Sequence, residues 1–171
     1  DKSAEELGEF LNIIHSNKYT EIGLLNEKLE ITEHIFSPDK TLESFIIPGL
    51  ENTIIKERLG YDLTDELNNF LNDKSIYLES LNAEYCLIHA DFKPTNIMIK
   101  DGRVNGILDW EFSFSFSFLF DIGQFIRYDE EIKKSLEDSF IKGYKKVVKA
   151  FPEEWRKSEK LLDLINIIFF L

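Results

Sequence analysis

The sequence contains very little cysteine, since Cys86 is the only one. An internal disulfide is therefore excluded, which fits the reducing environment of the cytoplasm. The chain has no cluster of cysteine and histidine residues that would indicate a zinc site. Cys86 lies in a short apolar stretch, and that position argues against a nucleophilic role.

Long apolar runs and basic residues are also scarce. The apolar end of the chain, residues 164–171, is too short to cross a bilayer, so we expect no membrane association. Lysine and arginine number 20 against 32 aspartate and glutamate residues, which gives a net charge of −12. Nucleic acid is not an expected partner, because neutralising its phosphates requires a basic patch.

The most informative stretch is residues 88–99, which read Ile-His-Ala-Asp-Phe-Lys-Pro-Thr-Asn-Ile-Met-Ile. Phosphoryl transfer requires a base near the acceptor hydroxyl and hard oxygen ligands for a divalent cation. Asp91 is a candidate base. Asn96 and, thirteen residues later, Asp109 offer a neutral and an anionic oxygen of the kind that Mg²⁺ prefers. The sequence therefore predicts a magnesium-dependent phosphoryl-transfer site.

A β-hairpin is predicted between the two candidate metal ligands. Residues 96–100 and 103–108 are typical of short strands, and the Asp-Gly dipeptide between them is a strong hairpin signal. Such a hairpin would bring Asn96 and Asp109 to the same end.

The combined pattern resembles the aminoglycoside phosphotransferase and choline kinase group, which shares the protein-kinase-like fold. The pattern is His-x-Asp-x-x-x-x-Asn, then Ile-Leu-Asp-Trp-Glu, then Phe-Asp-Ile-Gly. The resemblance implies that Asp91 is the catalytic aspartate and that His89 orients its loop. It also implies that Asn96 and Asp109 bind the metal and that Asp121 has a structural role.

The acceptor implied by the resemblance is a small molecule. Lys93 stands where protein kinases place a lysine in this loop, which suggests a lysine near the transferring phosphate. Protein kinases, however, follow the metal-binding aspartate with Phe-Gly and later carry an Ala-Pro-Glu segment. Here Trp110 and Glu111 follow, and Ala-Pro-Glu does not occur. This difference favours a small-molecule acceptor over a protein.

Charge points to a cationic acceptor. Residues 1–88 carry 18 acidic and 7 basic side chains, whereas residues 89–171 carry 14 and 13. Carboxylates around a cleft would attract aminoglycosides, which are polycations, so an aminoglycoside is the leading candidate and choline or amino alcohols come next. A solvated acidic surface explains the same charge distribution equally well.

The predicted fold is α+β and mainly helical, with residues 1–171 forming one domain that corresponds to the C-terminal, catalytic and substrate-binding lobe of the kinase-like fold. The small hairpin would carry the catalytic and metal-binding residues. The resemblance implies Mg²⁺ and either ATP or GTP as the phosphoryl donor.

The sequence lacks a glycine-rich phosphate loop and a Val-Ala-Ile-Lys-like strand upstream of His89. We therefore expect these residues to lack the N-terminal nucleotide lobe and to be inactive on their own. A non-catalytic binding or regulatory module of the same fold is the alternative.

The spacing of apolar residues predicts the remaining elements. The predicted helices cover residues 3–15, 21–33, 64–72, 75–81, 121–128, 130–150 and 153–171, and a buried strand covers 85–88. Ser3 and Glu6 form a candidate capping box for the first helix, and Asp121 is a candidate cap for the fifth. His15 is interpreted as a structural residue at a helix end.

Phenylalanine and serine alternate along residues 112–118. An extended segment would place four phenylalanines on one face and three serines on the other. This pattern predicts a strand or extended loop whose aromatic face packs on the core. An aromatic wall beside an apolar or sugar-like substrate is the alternative.

Overall fold

The computed structural model describes residues 1–35, 50, 52–79, 84–127, 134–146 and 151–169. Its helices are α1 (Lys2–Ile14), α2 (Thr53–Leu59), α3 (Tyr61–Lys74), α4 (Ile76–Glu79), α5 (Leu119–Ile126), α6 (Lys134–Lys145) and α7 (Trp155–Phe169). Its strands are β1 (Lys18–Tyr19), β2 (Gly23–Leu25), β3 (Ile31–His34), β4 (Tyr85–Ile88), β5 (Ile97–Lys100), β6 (Arg103–Ile107) and β7 (Phe114–Phe116). The prediction of a mainly helical α+β fold is confirmed.

Two antiparallel sheets occur among the described residues. The larger has the order β1-β4-β7-β2-β3, and the smaller is the β5–β6 hairpin. All four residues of β4 are buried, as a central strand requires. Both the predicted hairpin and the predicted strand at residues 85–88 are confirmed.

The helix predicted over residues 21–33 is wrong, because β2 and β3 form a hairpin there. The side chain of Asn26 accepts hydrogen bonds from the backbone of Lys28 and Glu30 at 2.9 and 3.0 Å, and Leu29 adopts a φ of +60°. This tight turn reverses the chain, so the apolar residues before and after it lie in two strands and not on one face of a helix. β2 also pairs with β7, so tertiary contacts outweigh the local pattern.

The other predicted helices agree with the described residues in place and type. Residues 64–72 lie within α3, and α4 covers part of 75–81. α5 starts two residues before the predicted 121–128, α6 lies within 130–150, and α7 covers most of 153–171. Residues 80–81, 128, 130–133, 147–150 and 170–171 of these predictions lie outside the described residues. None of the described helices is both long enough and apolar enough to span a membrane.

The capping box predicted for α1 is not formed, because the N-cap of the helix is Asp1, two residues before Ser3. The carboxylate of Asp1 accepts hydrogen bonds from the backbone of Ser3 and Ala4 at 2.9 and 3.3 Å. The side chain of Ser3 instead donates to the backbone oxygen of Gly102 at 2.6 Å, and Glu6 accepts from the backbone of Val104 at 2.9 Å. The first turn of α1 therefore fastens the β5–β6 hairpin to the helix.

In the middle of the Phe/Ser segment, the serines are buried as well as the phenylalanine between them. Ser115 and Ser117 are 0% and 1% exposed, although the pattern predicted an aromatic face alone against the core. β7 lies between β4 and β2, and Ser115 donates a hydrogen bond to the backbone oxygen of Glu21 at 2.7 Å. Phe116 is buried as predicted, whereas Phe112 is half exposed.

Helices α1 and α6 cross at very close range because each has a glycine at the contact. A Cβ atom on Gly8 would lie 2.1 Å from the backbone oxygen of Phe140, and one on Gly143 would lie 1.9 Å from that of Glu5. Backbone atoms cannot yield as a flexible side chain can, so the crossing requires glycine at both positions.

Ion pairs surround this crossing. The Glu5 carboxylate accepts hydrogen bonds from the ammonium groups of Lys146 and Lys142, and these bonds lower the pKa of Glu5 to about 2. Lys146 also contacts Glu9 at 2.6 Å. The pairs connect α1 to α6 along the exposed edge of their contact.

We expect the substitution Gly143→Ala to lower the free energy of unfolding by about 3 kcal/mol, since the added methyl group forces the two helices apart. Gly106→Ala is the matched control, because the new Cβ would meet only the end of the Met98 side chain at 3.4 Å. Its effect should stay below about 1 kcal/mol. Urea unfolding of both variants measures the difference, and equal stabilities would contradict the close-crossing interpretation.

Candidate active site

The loop between β4 and β5 begins with the buried His89, which connects two segments of backbone. Its Nε2 atom lies 2.7 Å from the backbone oxygen of Leu108, and its Nδ1 atom accepts a hydrogen bond from the backbone N–H of Asp91 at 3.2 Å. The neutral tautomer with the proton on Nε2 satisfies both contacts. His89 thus fixes the start of the loop to the residue that follows β6.

The carboxylate of Asp91 is held through one of its oxygens. Oδ2 accepts a hydrogen bond from Nδ2 of Asn96 at 2.8 Å and lies 2.7 Å from the Lys93 ammonium group. The Asp91 side chain is 23% exposed and therefore reachable from solvent. Since both contacts involve Oδ2, the other oxygen, Oδ1, is the one suited to accept a proton from an incoming group.

Asn96 ends a 3₁₀ turn, Pro94–Asn96, and bonds to Asp91 twice. Its Nδ2 atom also donates to the backbone oxygen of Asp91 at 3.0 Å. Because a carbonyl oxygen only accepts hydrogen bonds, the part of the amide that faces it is the NH2 group. The amide oxygen, which is the atom that a cation requires, therefore lies on the other edge of the amide group.

The hairpin brings the two candidate metal ligands to the same end, as predicted. The backbone N–H of Leu108 donates to the backbone oxygen of Asn96 at 2.9 Å, directly before Asp109. Asp109 is exposed and has a left-handed backbone with a φ of +69°. The next residue, Trp110, donates from Nε1 to the backbone oxygen of Ile107 at 2.8 Å and packs edge-on against the His89 ring.

The donor set fits Mg²⁺. Asn96 and Asp109 supply hard oxygen atoms, and magnesium in phosphate-binding sites needs few protein ligands because water and phosphate oxygens complete its shell. Among the described residues, no three His, Cys, Asp or Glu side chains are grouped as a metal site. Two protein oxygens suffice for a magnesium ion that is bound together with phosphate groups.

The sequence predicts that Asp121 caps its own helix. Asp121 instead binds the loop that carries Asp91. Its carboxylate is fully buried and accepts hydrogen bonds from the backbone N–H groups of His89 and Ala90, each at 2.8 Å. Nε2 of His15 lies 3.0 Å from the same carboxylate. Ala90 has a φ of +66°, a strained backbone for a residue with a Cβ atom.

His15 has a structural position at the end of α1, as predicted. It is 2% exposed, and its Nδ1 atom lies 2.7 Å from the hydroxyl oxygen of Tyr144. Burial raises the pKa of Tyr144, and the proximity of Cys86 and Asp121 adds to that rise. Tyr144 therefore keeps its proton and can donate it to Nδ1, which leaves the proton on Nε2 for Asp121.

Burial also raises the pKa of the Cys86 thiol, and Asp121 adds to the rise. The thiolate form is thus disfavoured, which agrees with the absence of a nucleophilic role predicted from the sequence.

Gln124 is a further residue at this loop that the sequence analysis did not single out. It is buried, its Oε1 atom accepts a hydrogen bond from the backbone N–H of Phe92 at 2.8 Å, and its Nε2 atom donates to the backbone oxygen of Ala90 at 2.7 Å. One signal could have identified it. Gln124 lies three residues after Asp121 and so on the same face of α5.

A loop with an aspartate and an asparagine, beside a hairpin that is followed by a second aspartate, is the arrangement that the sequence analysis expects of a kinase-like α+β fold. The chain belongs to the phosphotransferase enzyme family (APH), whose family model matches residues 1–160.

Solved structures support the fold. The chain is similar to the apo form of a thermostable mutant of aminoglycoside phosphotransferase APH(4)-Ia, with a TM-score of 0.64 and 16% identity over 98% of this chain and 55% of that one. A thermostable mutant of the same enzyme in a ternary complex with AMP-PNP and hygromycin B gives a TM-score of 0.53 and 15% identity, over 98% of this chain and 64% of that one. The chain thus spans 55% to 64% of the length of these structures. A search of curated proteins finds no match.

We expect Asp121→Asn to lower the free energy of unfolding by about 3 kcal/mol, because asparagine has one acceptor oxygen where two backbone N–H groups need one each. Asp138→Asn is the control, since Asp138 is exposed and forms an ion pair with the exposed Lys134. The control should change stability by less than about 0.5 kcal/mol. Chemical denaturation compares the two, and a similar small effect for both variants would mean that the loop does not depend on Asp121.

Proposed function

We propose that this chain is the catalytic lobe of a small-molecule kinase that transfers the terminal phosphoryl group of ATP or GTP to a hydroxyl group of its substrate. One observation carries the proposal: Asp91 is partly exposed, is bonded to Asn96 and Lys93, and lies in the loop that His89 joins to the end of the β5–β6 hairpin. Membership of the phosphotransferase enzyme family supports this activity.

In the proposed mechanism, Asp91 is the general base. The acceptor hydroxyl approaches Oδ1 and transfers its proton there as its oxygen attacks the terminal phosphorus atom. The bond between that phosphorus and the bridging oxygen breaks, and the nucleoside diphosphate leaves. Lys93 already lies beside the carboxylate, so its ammonium group is close enough to attract the phosphoryl group during transfer. His89 holds the loop, and Asn96 orients the carboxylate.

Asn96 and Asp109 would hold Mg²⁺ through one amide oxygen and one carboxylate oxygen. The ion, when bound, neutralises charge on the donor phosphates. We propose that an N-terminal lobe of the same protein supplies the remaining nucleotide contacts. The chain's coverage of 55% to 64% of its structural neighbours supports such an additional lobe. AMP-PNP in one neighbour supports ATP as the donor.

The acceptor we propose is a cationic small molecule, with an aminoglycoside as the leading candidate. Two observations support it. The chain carries a net charge of −12, which favours cationic ligands, and the similar ternary complex contains hygromycin B. The free, buried Cys86 supports a cytoplasmic location for the reaction.

We expect Asp91→Asn in the full-length protein to lower kcat by about 100- to 10,000-fold, because asparagine cannot accept the hydroxyl proton. Magnesium-dependent nucleotide consumption with a panel of aminoglycosides, choline and amino alcohols measures the effect. Thermal unfolding and nucleotide binding of the variant should match those of the wild type, since Asn preserves the shape of the side chain.

Full activity of Asp91→Asn would exclude Asp91 as the base. A wild-type protein that binds nucleotide but phosphorylates none of the panel would require a different acceptor. A wild-type protein that binds no nucleotide would favour a non-catalytic module of the same fold.

Asp109→Asn should weaken magnesium-dependent nucleotide binding by about tenfold or more, because the site loses its anionic oxygen. Asp101→Asn is a closely matched control: Asp101 is also exposed, also has a left-handed backbone, with a φ of +51°, and lies at the opposite end of the hairpin. Titration of nucleotide at several Mg²⁺ concentrations separates the two variants. Equal affinities would show that Asp109 is not a metal ligand.

A further inference from the structure

We infer that Gln124 is a positioning residue for Asp91, because its side-chain amide holds the backbone on both sides of that aspartate. The inference rests on the proposed function, in which Asp91 is the base. Gln124 touches neither the acceptor nor the phosphates, and it acts through the loop.

The two hydrogen bonds of Gln124 bracket Asp91. The carbonyl of Ala90 belongs to the peptide group before Asp91, and the N–H of Phe92 belongs to the peptide group after it. Nε2 of Gln124 donates to the first at 2.7 Å, and Oε1 accepts from the second at 2.8 Å. One rigid amide group therefore sets the separation and the relative orientation of the two peptide groups.

Ala90 explains why the loop needs this restraint. Its φ of +66° brings Cβ close to the backbone, so an isolated chain would leave this conformation. Asp121 accepts the Ala90 N–H, and Gln124 donates to the Ala90 carbonyl. Both polar groups of the strained residue are thus bonded to side chains of α5.

Only a carboxamide of this length satisfies both bonds. Glutamate could accept from Phe92 but could not donate to Ala90 when ionised, leucine could do neither, and asparagine is one methylene shorter. Gln124 and Ala90 are each 7% exposed and Phe92 is fully buried, so water is poorly placed to replace a lost bond.

Helix α5 is a firm support for this contact because α7 fixes it. A Cβ atom on Gly123 would lie 3.2 Å from the Glu159 side chain, which shows how closely the helices approach. Arg127 donates from Nε to both carboxylate oxygens of Asp163, at 2.7 and 3.0 Å. The contacts with α7 therefore fix the backbone that carries the Gln124 side chain.

The test compares Gln124→Leu and Gln124→Glu with Leu162→Ala in the full-length protein. Leu162 is a buried residue of α7, so its truncation lowers stability without removing a bond to the loop. We expect kcat to fall about 10- to 100-fold in both Gln124 variants, with KM for nucleotide and acceptor within about twofold of wild type. Leu162→Ala should keep the wild-type kcat at temperatures well below its Tm. The proposal is overturned if the Gln124 variants keep kcat, or if they lose it only as far as Leu162→Ala does.

A rescue variant separates positioning from packing. Glycine adopts a φ of +66° without a Cβ clash, so Ala90→Gly should restore kcat of Gln124→Leu by about three- to tenfold. A purely structural role for Gln124 predicts no such recovery. No recovery, together with full activity of Ala90→Gly alone, would overturn the proposal.

Hydrogen exchange gives a readout that does not depend on turnover. In Gln124→Leu the amide of Phe92 should exchange faster than in the wild type. In Leu162→Ala its exchange rate should change by no more than the rates of the neighbouring amides. Unchanged exchange at Phe92 would overturn the inference. If the Phe92 amide exchanges faster in Gln124→Leu but the wild-type protein phosphorylates no acceptor, the proposed function is refuted. The contact between Gln124 and the loop is then still supported.

Discussion

A carboxylate that is fully removed from water is costly unless strong donors surround it, and Asp121 has three of them. Two are backbone N–H groups of the loop before Asp91, and the third is the imidazole of His15. Since the carboxylate satisfies these donors only in one arrangement, its burial fixes the loop relative to α5 and to the end of α1. The position of the proposed base thus follows from a group that never meets the substrate.

Similar hydrogen bonds connect the proposed base to the candidate metal ligands. His89, held by Asp121 through its backbone, reaches the carbonyl of Leu108, and Asn96 accepts the N–H of that same residue. The backbone of Leu108 is therefore bonded on both sides immediately before Asp109. Helix α1 adds a second attachment, because Glu6 accepts from the backbone of β6. The exposed Asp109 therefore follows a backbone segment whose polar groups are hydrogen-bonded to the rest of the fold.

Contacts between residues close together in the sequence were predicted well, whereas contacts between residues far apart in the sequence were not. The Asp-Gly turn defines its hairpin locally, so the approach of Asn96 and Asp109 was predictable from spacing. Asp121 was interpreted as a helix cap because a sequence pattern displays only the nearest N–H groups, and its real donors lie more than 30 residues upstream. Gln124 was missed for the same reason. The helix predicted at 21–33 was wrong because pairing with β7 is invisible in a local pattern.

Net charge alone overstates the attraction for a cationic acceptor. Glu5 already binds Lys142 and Lys146, and Glu6 binds Arg103, so these carboxylates are neutralised within the fold and add little field at a distance. Carboxylates close to the transfer site count for more, because attraction grows as distance and screening fall. Asp109 and Glu111 are exposed and follow directly from the segment that His89 fixes beside the base. If Asp109 holds the proposed metal, Glu111 is the other acidic side chain of this pair, and it would be the one to meet an ammonium group of the proposed acceptor. Because proteins of one fold act on many different substrates, local charges of this kind are the features that distinguish one acceptor from another.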